Sequence, residues 1–329
     1  MYCPKCGALN NTGNHFCVNC GVPLKKEPPK EVVSKQNLAI GDLFLNRYKI
    51  EKLLGSGGMG EVYKAYDLVI EKNAAVKILQ TSLFEGEEMV DRFLNEAKVA
   101  KQLSHENIAL AYVSGFEDKY YYIVMEYVEG QTLREWIKKY GETADIEDVI
   151  DIVLQICSGL KYAHQFTIHR DIKPENIIIS SNKKIKIMDF GISKTMSLNS
   201  KTQDASTMGT AYYVAPEQMA GAKSVDERAD IFSLGVIFYE LITGKVPVGS
   251  FKIPTSTKRI VSRGIGDIIQ KALASDVKER YKTIAEMQFA LEKERAIVEK
   301  IRLEQKVFTS TTDIPTINQA ISSTSIVKG

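Results

Sequence analysis

The chain has 329 residues, 44% hydrophobic and 26% charged, with 43 Lys and Arg against 41 Asp and Glu. This is the composition of a globular protein long enough for two or three compact units. The formal charge of +2 gives no bulk electrostatic reason to expect a nucleic-acid partner.

The chain opens Met1-Tyr2-Cys3-Pro4-Lys5-Cys6, without the apolar core of a secretory signal. No run of about 18 apolar residues follows, so no membrane-spanning helix is expected. These features predict a cytoplasmic, reduced chain, which disfavours structural disulfides. Cys3, Cys6, Cys17 and Cys20 form two matched knuckles, C-x2-C-x10-C-x2-C, each followed by a glycine (Gly7, Gly21). Two intervening residues let both thiolates of a pair face one ion, and four thiolates close a tetrahedral Zn²⁺ site. The unit is too small for its own apolar core, so metal would supply most of its stability. It resembles a zinc ribbon, whose partner could be a protein, a nucleic acid or nothing beyond the ribbon itself, with the near-neutral charge giving little support to nucleic acid. Two disulfides are the competing reading, and a redox Cys-x-x-Cys lacks the surrounding βαβ pattern. Cys157 lies in the apolar-periodic stretch Ile150–Leu160 and is expected to be a buried helix residue.

Residues 25–44 contain Lys25-Lys26-Glu27-Pro28-Pro29-Lys30-Glu31 and read as a linker. Strands are predicted over Tyr48–Leu54, Gly60–Asp67 and Asn73–Gln80, then a helix over Glu87–Leu103, then strands Ala109–Glu117 and Tyr120–Glu126. Gly55-Ser56-Gly57-Gly58-Met59-Gly60 joins the first two strands. A dinucleotide-binding fingerprint would need a helix after such glycines, and a strand follows instead. Helices then dominate: Leu133–Tyr140, Ile146–Gln165, Ser224–Thr243, Ile265–Ala274 and Thr283–Arg302. A strand-rich half followed by a helix-rich half predicts an α+β chain of two lobes. From about 307 the chain is rich in Ser and Thr and is expected to be disordered.

Within the second half, residues 169–176 read His-Arg-Asp-Ile-Lys-Pro-Glu-Asn, and Asp189-Phe190-Gly191 follow. Ile177-Ile178-Ile179 and Ile185-Lys186-Ile187-Met188 are expected to be short strands framing the loop. This run carries two carboxylates, a carboxamide and a lysine, the inventory for phosphoryl transfer to a hydroxyl. It resembles the catalytic loop of eukaryotic-type protein kinases, closest to bacterial Hanks-type serine/threonine kinases, over about residues 45–295. Lys173, two positions after Asp171, resembles the serine/threonine class.

The resemblance implies a role for each matching residue. Asp171 would orient the substrate hydroxyl and take its proton, and Lys173 would neutralise the moving phosphate. Asn176 and Asp189 would hold Mg²⁺ (or Mn²⁺) through oxygen. Gly55, Gly57 and Gly60 would form the flap over the ATP phosphates. Lys77, in Ala74-Ala75-Val76-Lys77-Ile78-Leu79, would hold the α- and β-phosphates with Glu96 as its partner. Glu87 and Glu88 are weaker alternatives, nearer the helix start. Taken alone, Lys77 would read as a solvated strand lysine, but its apolar flanks and the upstream glycine loop favour the phosphate role. Leu54, Val62 and Ala75 would cover the adenine from above and Ile178 from below. Met125 would gate the back pocket, and Glu126–Val128, including Val128, would be the hinge. His169 and Phe190 would pack behind the loop, with His169 structural rather than a base, and Asp230 would buttress the loop backbone. With Lys77, Asp171 and Asp189 all present, an active enzyme is expected rather than a pseudokinase.

Arg170 beside Asp171 needs an anion, which in kinases of this type is a phosphorylated activation-loop residue. The loop offers Ser193, Thr195, Ser197 and Ser200, with Thr202, Ser206 and Thr207 as the best candidates. Thr210 is expected to bond Asp171 and Lys173, and Glu217 of Ala215-Pro216-Glu217 to pair with Arg280. Between Pro247 and Ile268 the chain is shorter than the family pattern and has no clear amphipathic helix, which leaves substrate docking open. The expected organisation is a zinc ribbon (1–24), a linker (25–44), a bilobal kinase domain (45–295, divided at 127/128) and a helical extension with a disordered tail (296–329). The expected function is a serine/threonine protein kinase acting on protein substrates and switched by activation-loop phosphorylation. The alternative is a nucleotide-binding pseudokinase scaffold acting through its ribbon and tail.

Overall fold

The computed structural model describes residues 38–57, 60–79, 97–117, 120–190, 211–221, 225–249 and 262–312, and within the N-terminal segment residues 2, 3, 6, 8–11, 14, 17–19 and 24. The first large unit is a six-stranded antiparallel sheet in the order β1-β2-β3-β4-β6-β5. Its strands are β1 (Leu43–Phe44), β2 (Tyr48–Gly57), β3 (Gly60–Asp67), β4 (Lys72–Leu79), β5 (Ala111–Glu117) and β6 (Tyr120–Glu126). Residues along β3 alternate between buried and half-buried, as expected of a strand with one covered face. Tyr48, Ile50, Tyr63, Ala65, Val76 and Val124 form the core of this sheet. Strand β2 runs past Leu54 because its ladder with β3 continues through Ser56–Glu61 to Gly57–Gly60. Gly60 has φ +135°, and a Cβ there would lie 1.9 Å from the Ile78 carbonyl oxygen, so the tight approach of β3 to β4 requires glycine.

Helix α1, of which residues 97–102 are described, precedes β5. The second unit contains α2 (Leu133–Tyr140), α3 (Ile146–Ala163), α4 (Pro216–Met219), α5 (Arg228–Thr243), α6 (Arg263–Ala272) and α7 (Ile284–Thr312). A small sheet, β7 (Gln131–Thr132), β8 (Ile177–Ile179) and β9 (Ile185–Ile187), lies against them. Helix α2 begins with a capping box: Thr132 accepts from the Glu135 amide and Glu135 reaches back to the Thr132 amide. Helix α5 is apolar around most of its circumference and is buried accordingly. Gly235 lets α6 approach it, since a Cβ would sit 2.9 Å from that of Ala272. Cys157 is fully buried in α3, and burial pushes its thiol pKa up.

Several boundaries differ from the sequence expectation. Helix α5 starts at Arg228 rather than Ser224, because the Asp226 carboxylate takes the Arg228 amide. Helix α6 starts at Arg263 because Ser262 caps it, accepting from the Ile265 amide at 3.2 Å. Helix α3 ends at Ala163, short of Gln165. Helix α7 continues to Thr312, past the expected end at Arg302 and into the stretch from about 307 that was expected to be disordered. An established helix adds one hydrogen bond per residue, which outweighs the modest helix penalty of Ser and Thr. Glu87, Glu88 and Glu96, Cys20, the activation-loop candidates Ser193 to Thr207, Thr210 and most of the stretch after Pro247 lie outside the described residues. Among the described residues, no helix is long and apolar enough to cross a membrane.

Candidate active site

Among the described residues, the side chains of the predicted constellation are placed by strands and tight turns. Strand β4 pairs with β3 on one side and β6 on the other, with Lys77 opposite Val62 and Ile123. This carries the Lys77 side chain, 8% exposed, into the space beneath the glycine hairpin, where Nζ lies 2.8 Å from Asp189 Oδ2. Ala75 pairs with Met125, both buried, and Val62 is half-buried. Leu54 is exposed at the rim, and Ile178 is half-buried in β8. Ala97, Leu103, Ile123, Met125, Asp189 and Phe190 line a small cavity behind Met125.

The β8–β9 hairpin brings the two halves of the catalytic inventory together. Ile177 pairs with Ile187, and the Met188 amide donates to the Asn176 carbonyl at 2.8 Å. Asn176 and Asp189 therefore flank the same point. Asn176 Nδ2 donates to the Asp171 carbonyl (2.8 Å) and to Asp171 Oδ2 (3.0 Å). Lys173 Nζ lies 2.9 Å from Asp171 Oδ2. Asp189 has φ +59°, an uncommon conformation for a non-glycine residue and one that recurs at functional sites. Burial opposes ionisation of Asp189, but the charge and hydrogen bond of Lys77, with His169 and Lys173 nearby, hold its carboxyl below the usual range.

His169 has both ring nitrogens engaged. The Asp171 amide donates to Nδ1 at 3.3 Å, so Nε2 carries the proton and donates to the Met188 carbonyl at 2.8 Å. Its ring meets Phe190 edge to face at 4.5 Å. The expected structural role fits these contacts. Asp230, fully buried on α5, accepts from the amides of His169 (2.9 Å) and Arg170 (2.7 Å) and contacts His164 Nε2 at 2.9 Å. Burial works against its charge, but His164, His169 and the His169 amide prevail, and the carboxyl sits below its ordinary range.

Arg170 has φ +66°. Its Nη2 donates to the Val225 carbonyl at 3.3 Å. Its Nε is buried and has no hydrogen-bond partner among the described residues. Arg280 is paired with Glu217 through two parallel bonds of 2.8 and 2.9 Å, as expected from sequence.

Two clusters were not anticipated. Lys186 of β9 lies 2.8 Å from Glu126 Oε2 and 3.3 Å from the Ile108 carbonyl, tying the expected hinge to the second unit. Arg134 of α2 contacts Glu175 of the catalytic loop at 2.8 Å and, at 2.5 Å each, Glu240 and the Tyr213 hydroxyl. Tyr213 and Glu240 also share a short hydrogen bond. Glu240, a carboxylate in the apolar second half of helix α5, was the one signal for this network, because a buried charge needs a partner.

At the N-terminus, the sulfurs of Cys3, Cys6 and Cys17 lie within 4.8 Å of one another, and Cys6 and Cys17 are 3.4 Å apart. A tetrahedral ion with about 2.3 Å metal–sulfur bonds spaces its sulfurs about 3.8 Å apart, so three of the four expected ligands converge on one ion-sized point.

Comparison with known proteins agrees with this geometry. The protein kinase domain family matches residues 48–305. The serine/threonine-protein kinase PrkC of Bacillus subtilis is 37% identical over 287 residues, covering 83% of this chain and 44% of that protein. PknB of Mycobacterium tuberculosis is 39% identical over 263 residues, covering 74% of this chain and 42% of that protein. The chain thus spans less than half the length of these curated relatives. The crystal structure of the M. tuberculosis PknI kinase domain superposes with a TM-score of 0.64 at 29% identity, covering 79% of this chain and 99% of that one. A two-lobed fold, a lysine–aspartate contact across the cleft and a family match over most of the sequence converge: the chain belongs to the protein kinase family.

Proposed function

We propose that this chain is a serine/threonine protein kinase that transfers the γ-phosphate of ATP to hydroxyls of protein substrates. The observation that carries the reading is the shared cleft position of Lys77, Asp171, Lys173, Asn176 and Asp189. Lys77 would hold the α- and β-phosphates under the flap of Gly55, Gly57 and Gly60. Asp171 would orient the acceptor hydroxyl and take its proton as the bond to phosphorus forms and the bond to the ADP oxygen breaks. Lys173, already 2.9 Å from Asp171, would neutralise charge on the transferred group. Asn176 uses its amide nitrogen on Asp171, which leaves its amide oxygen to join Asp189 in holding Mg²⁺ or Mn²⁺. Held by these two residues, such an ion would supply charge neutralisation for the transferred phosphoryl group. Leu54, Val62, Ala75 and Ile178 would sandwich the adenine, Met125 would close the back pocket, and the backbone of Glu126–Val128 would read its edge. Glu96 remains the proposed second partner of Lys77.

Arg170 supports regulation by phosphate. A buried guanidinium nitrogen with no described partner suits an anion, and Thr202, Ser206 or Thr207 would supply it once phosphorylated. Cys3, Cys6, Cys17 and Cys20 would hold a structural Zn²⁺ in an N-terminal ribbon (1–24), joined by a linker (25–44) to the kinase domain (45–295) and the extension (296–329). A tetrathiolate site needs reduced cysteines, which supports a reducing compartment, the cytoplasm, as the place of the chain.

The test is transfer of labelled γ-phosphate to the chain itself and to a generic basic protein. Asp171→Asn should cut transfer by at least about a hundredfold while leaving nucleotide binding intact. Unchanged transfer in that variant refutes the mechanism. Nucleotide binding without transfer in the wild type favours the scaffold reading.

A further inference from the structure

The N-terminal thiols are organised by one buried side chain from between the two knuckles. Asn10 is 4% exposed, and among the described residues of this segment only Cys3 and Cys17 are buried with it. Its Oδ1 accepts from the Val18 amide at 2.7 Å. Its Nδ2 donates to the Ala8 carbonyl at 2.8 Å and lies 3.5 Å from Cys17 Sγ. The carboxamide orientation follows from these partners. Flipped, it would set oxygen against the Ala8 carbonyl and N–H against the Val18 amide. The Ala8 carbonyl also accepts from the Cys3 amide at 2.9 Å, and Tyr2 bridges Leu9. One side chain therefore ties the hairpin of the first knuckle to the turn of the second. Asn19 adds donors of the same kind, its amide 3.4 Å from Cys17 Sγ and its Nδ2 3.7 Å from Cys6 Sγ.

We infer that Asn10 is a positioning residue for the zinc centre, an inference that rests on the tetrathiolate reading proposed above. Four thiolates around Zn²⁺ leave a net charge of about −2 to be stabilised without water, because a closed site has no open position. N–H donors directed at the sulfurs spread that charge and fix the ligand orientation. Asn10 supplies such a donor to Cys17. Through the Val18 amide it also sets the turn that presents the second Cys pair. Its carboxamide thus replaces the packing that a ribbon of this size lacks.

The experiment uses the full chain. Zinc affinity is measured by competition with a chromophoric chelator, and Co²⁺ is substituted to read the thiolate-to-metal charge-transfer bands. The wild type should bind one zinc per chain. Asn10→Leu, similar in volume and without polar atoms, should weaken zinc about ten- to hundredfold. It should also shift the Co²⁺ charge-transfer bands to lower energy, because a thiolate with one N–H donor fewer is easier to oxidise. Asn10→Asp, which sets a carboxylate beside Cys17, should weaken zinc further. Thermal melting of the kinase domain serves as the folding control and should not move. Zinc affinity within twofold of wild type and unmoved cobalt bands in Asn10→Leu overturn the role of Asn10. A wild type that binds no zinc overturns the tetrathiolate reading itself, and the Asn10 role with it.

Discussion

Replacing Glu217 by glutamine keeps the shape of that side chain but takes the counter-charge from Arg280, whose side chain is fully buried while that of Glu217 is 15% exposed. Breaking a buried pair by neutralising one partner costs about 3–5 kcal/mol, because the remaining charge is uncompensated. Here Arg280 keeps the Ala274 carbonyl (2.7 Å), the Arg228 carbonyl (3.1 Å) and the face of Phe232 at 4.9 Å. Glutamine can also still accept one bond. The lower end of the range, about 3 kcal/mol, is therefore expected, or about 6–12 °C in melting temperature for a lobe of this size. Differential scanning calorimetry and urea unfolding measure it. The double variant Glu217→Leu/Arg280→Met should recover most of the loss, since apolar replacement of a buried pair is close to neutral. Below the melting transition Glu217→Gln should keep its KM for ATP, because the pair is structural. A shift under 2 °C, or a folded variant with kcat reduced more than tenfold, refutes the reasoning.

Asp230 links stability to pH. Its carboxyl is depressed in the folded state, so its contribution is full above the unfolded value near 4 and is lost as pH falls through the lower folded value. Urea unfolding between about pH 5 and 2 should show wild-type stability falling in that window, with a shallower slope in Asp230→Asn. Gly60→Ala places a Cβ 1.9 Å from a carbonyl oxygen at φ +135° and should destabilise the first lobe by about 3 kcal/mol, read by chemical denaturation. Lys186→Met removes the 2.8 Å contact to Glu126 and should raise KM for ATP up to about fivefold at unchanged kcat, with Lys186→Arg restoring it. Mass spectrometry of active protein should find phosphate between residues 193 and 207, and Arg170→Gln should make activity insensitive to phosphatase.

Much of the fold was legible locally. Strands Gly60–Asp67 and Tyr120–Glu126 and helix Leu133–Tyr140 have the bounds their patterns predict. Their limits are set by nearby residues: Gly60 against β4, and Thr132 with Glu135 in the capping box. The starts of α5 and α6 were misplaced because Asp226 takes the Arg228 amide and Ser262 caps α6, both from within loops whose composition carries little period. Arg134 was missed for another reason. Its partners Glu175, Tyr213 and Glu240 are distant in sequence, and an arginine on an amphipathic helix ordinarily faces solvent. Lys186, between two isoleucines of a short strand, gave no hint that it would meet Glu126, 60 residues away.

Short-range chemistry was therefore written in the chain itself. The motif holding Asp171, Lys173, Asn176 and Asp189 led to the proposed phosphoryl transfer, and the cysteine spacing led to the proposed thiolate metal site. Only the tertiary structure decided which charges meet: Lys77 with Asp189, Asp230 with the His169 and Arg170 amides, Lys186 with Glu126, Arg134 with Glu175 and Glu240. The physical reason is range. A turn or a cap is settled within a few residues, whereas a buried ion pair depends on a few ångströms between groups far apart in sequence, and only the packed lobes fix that distance.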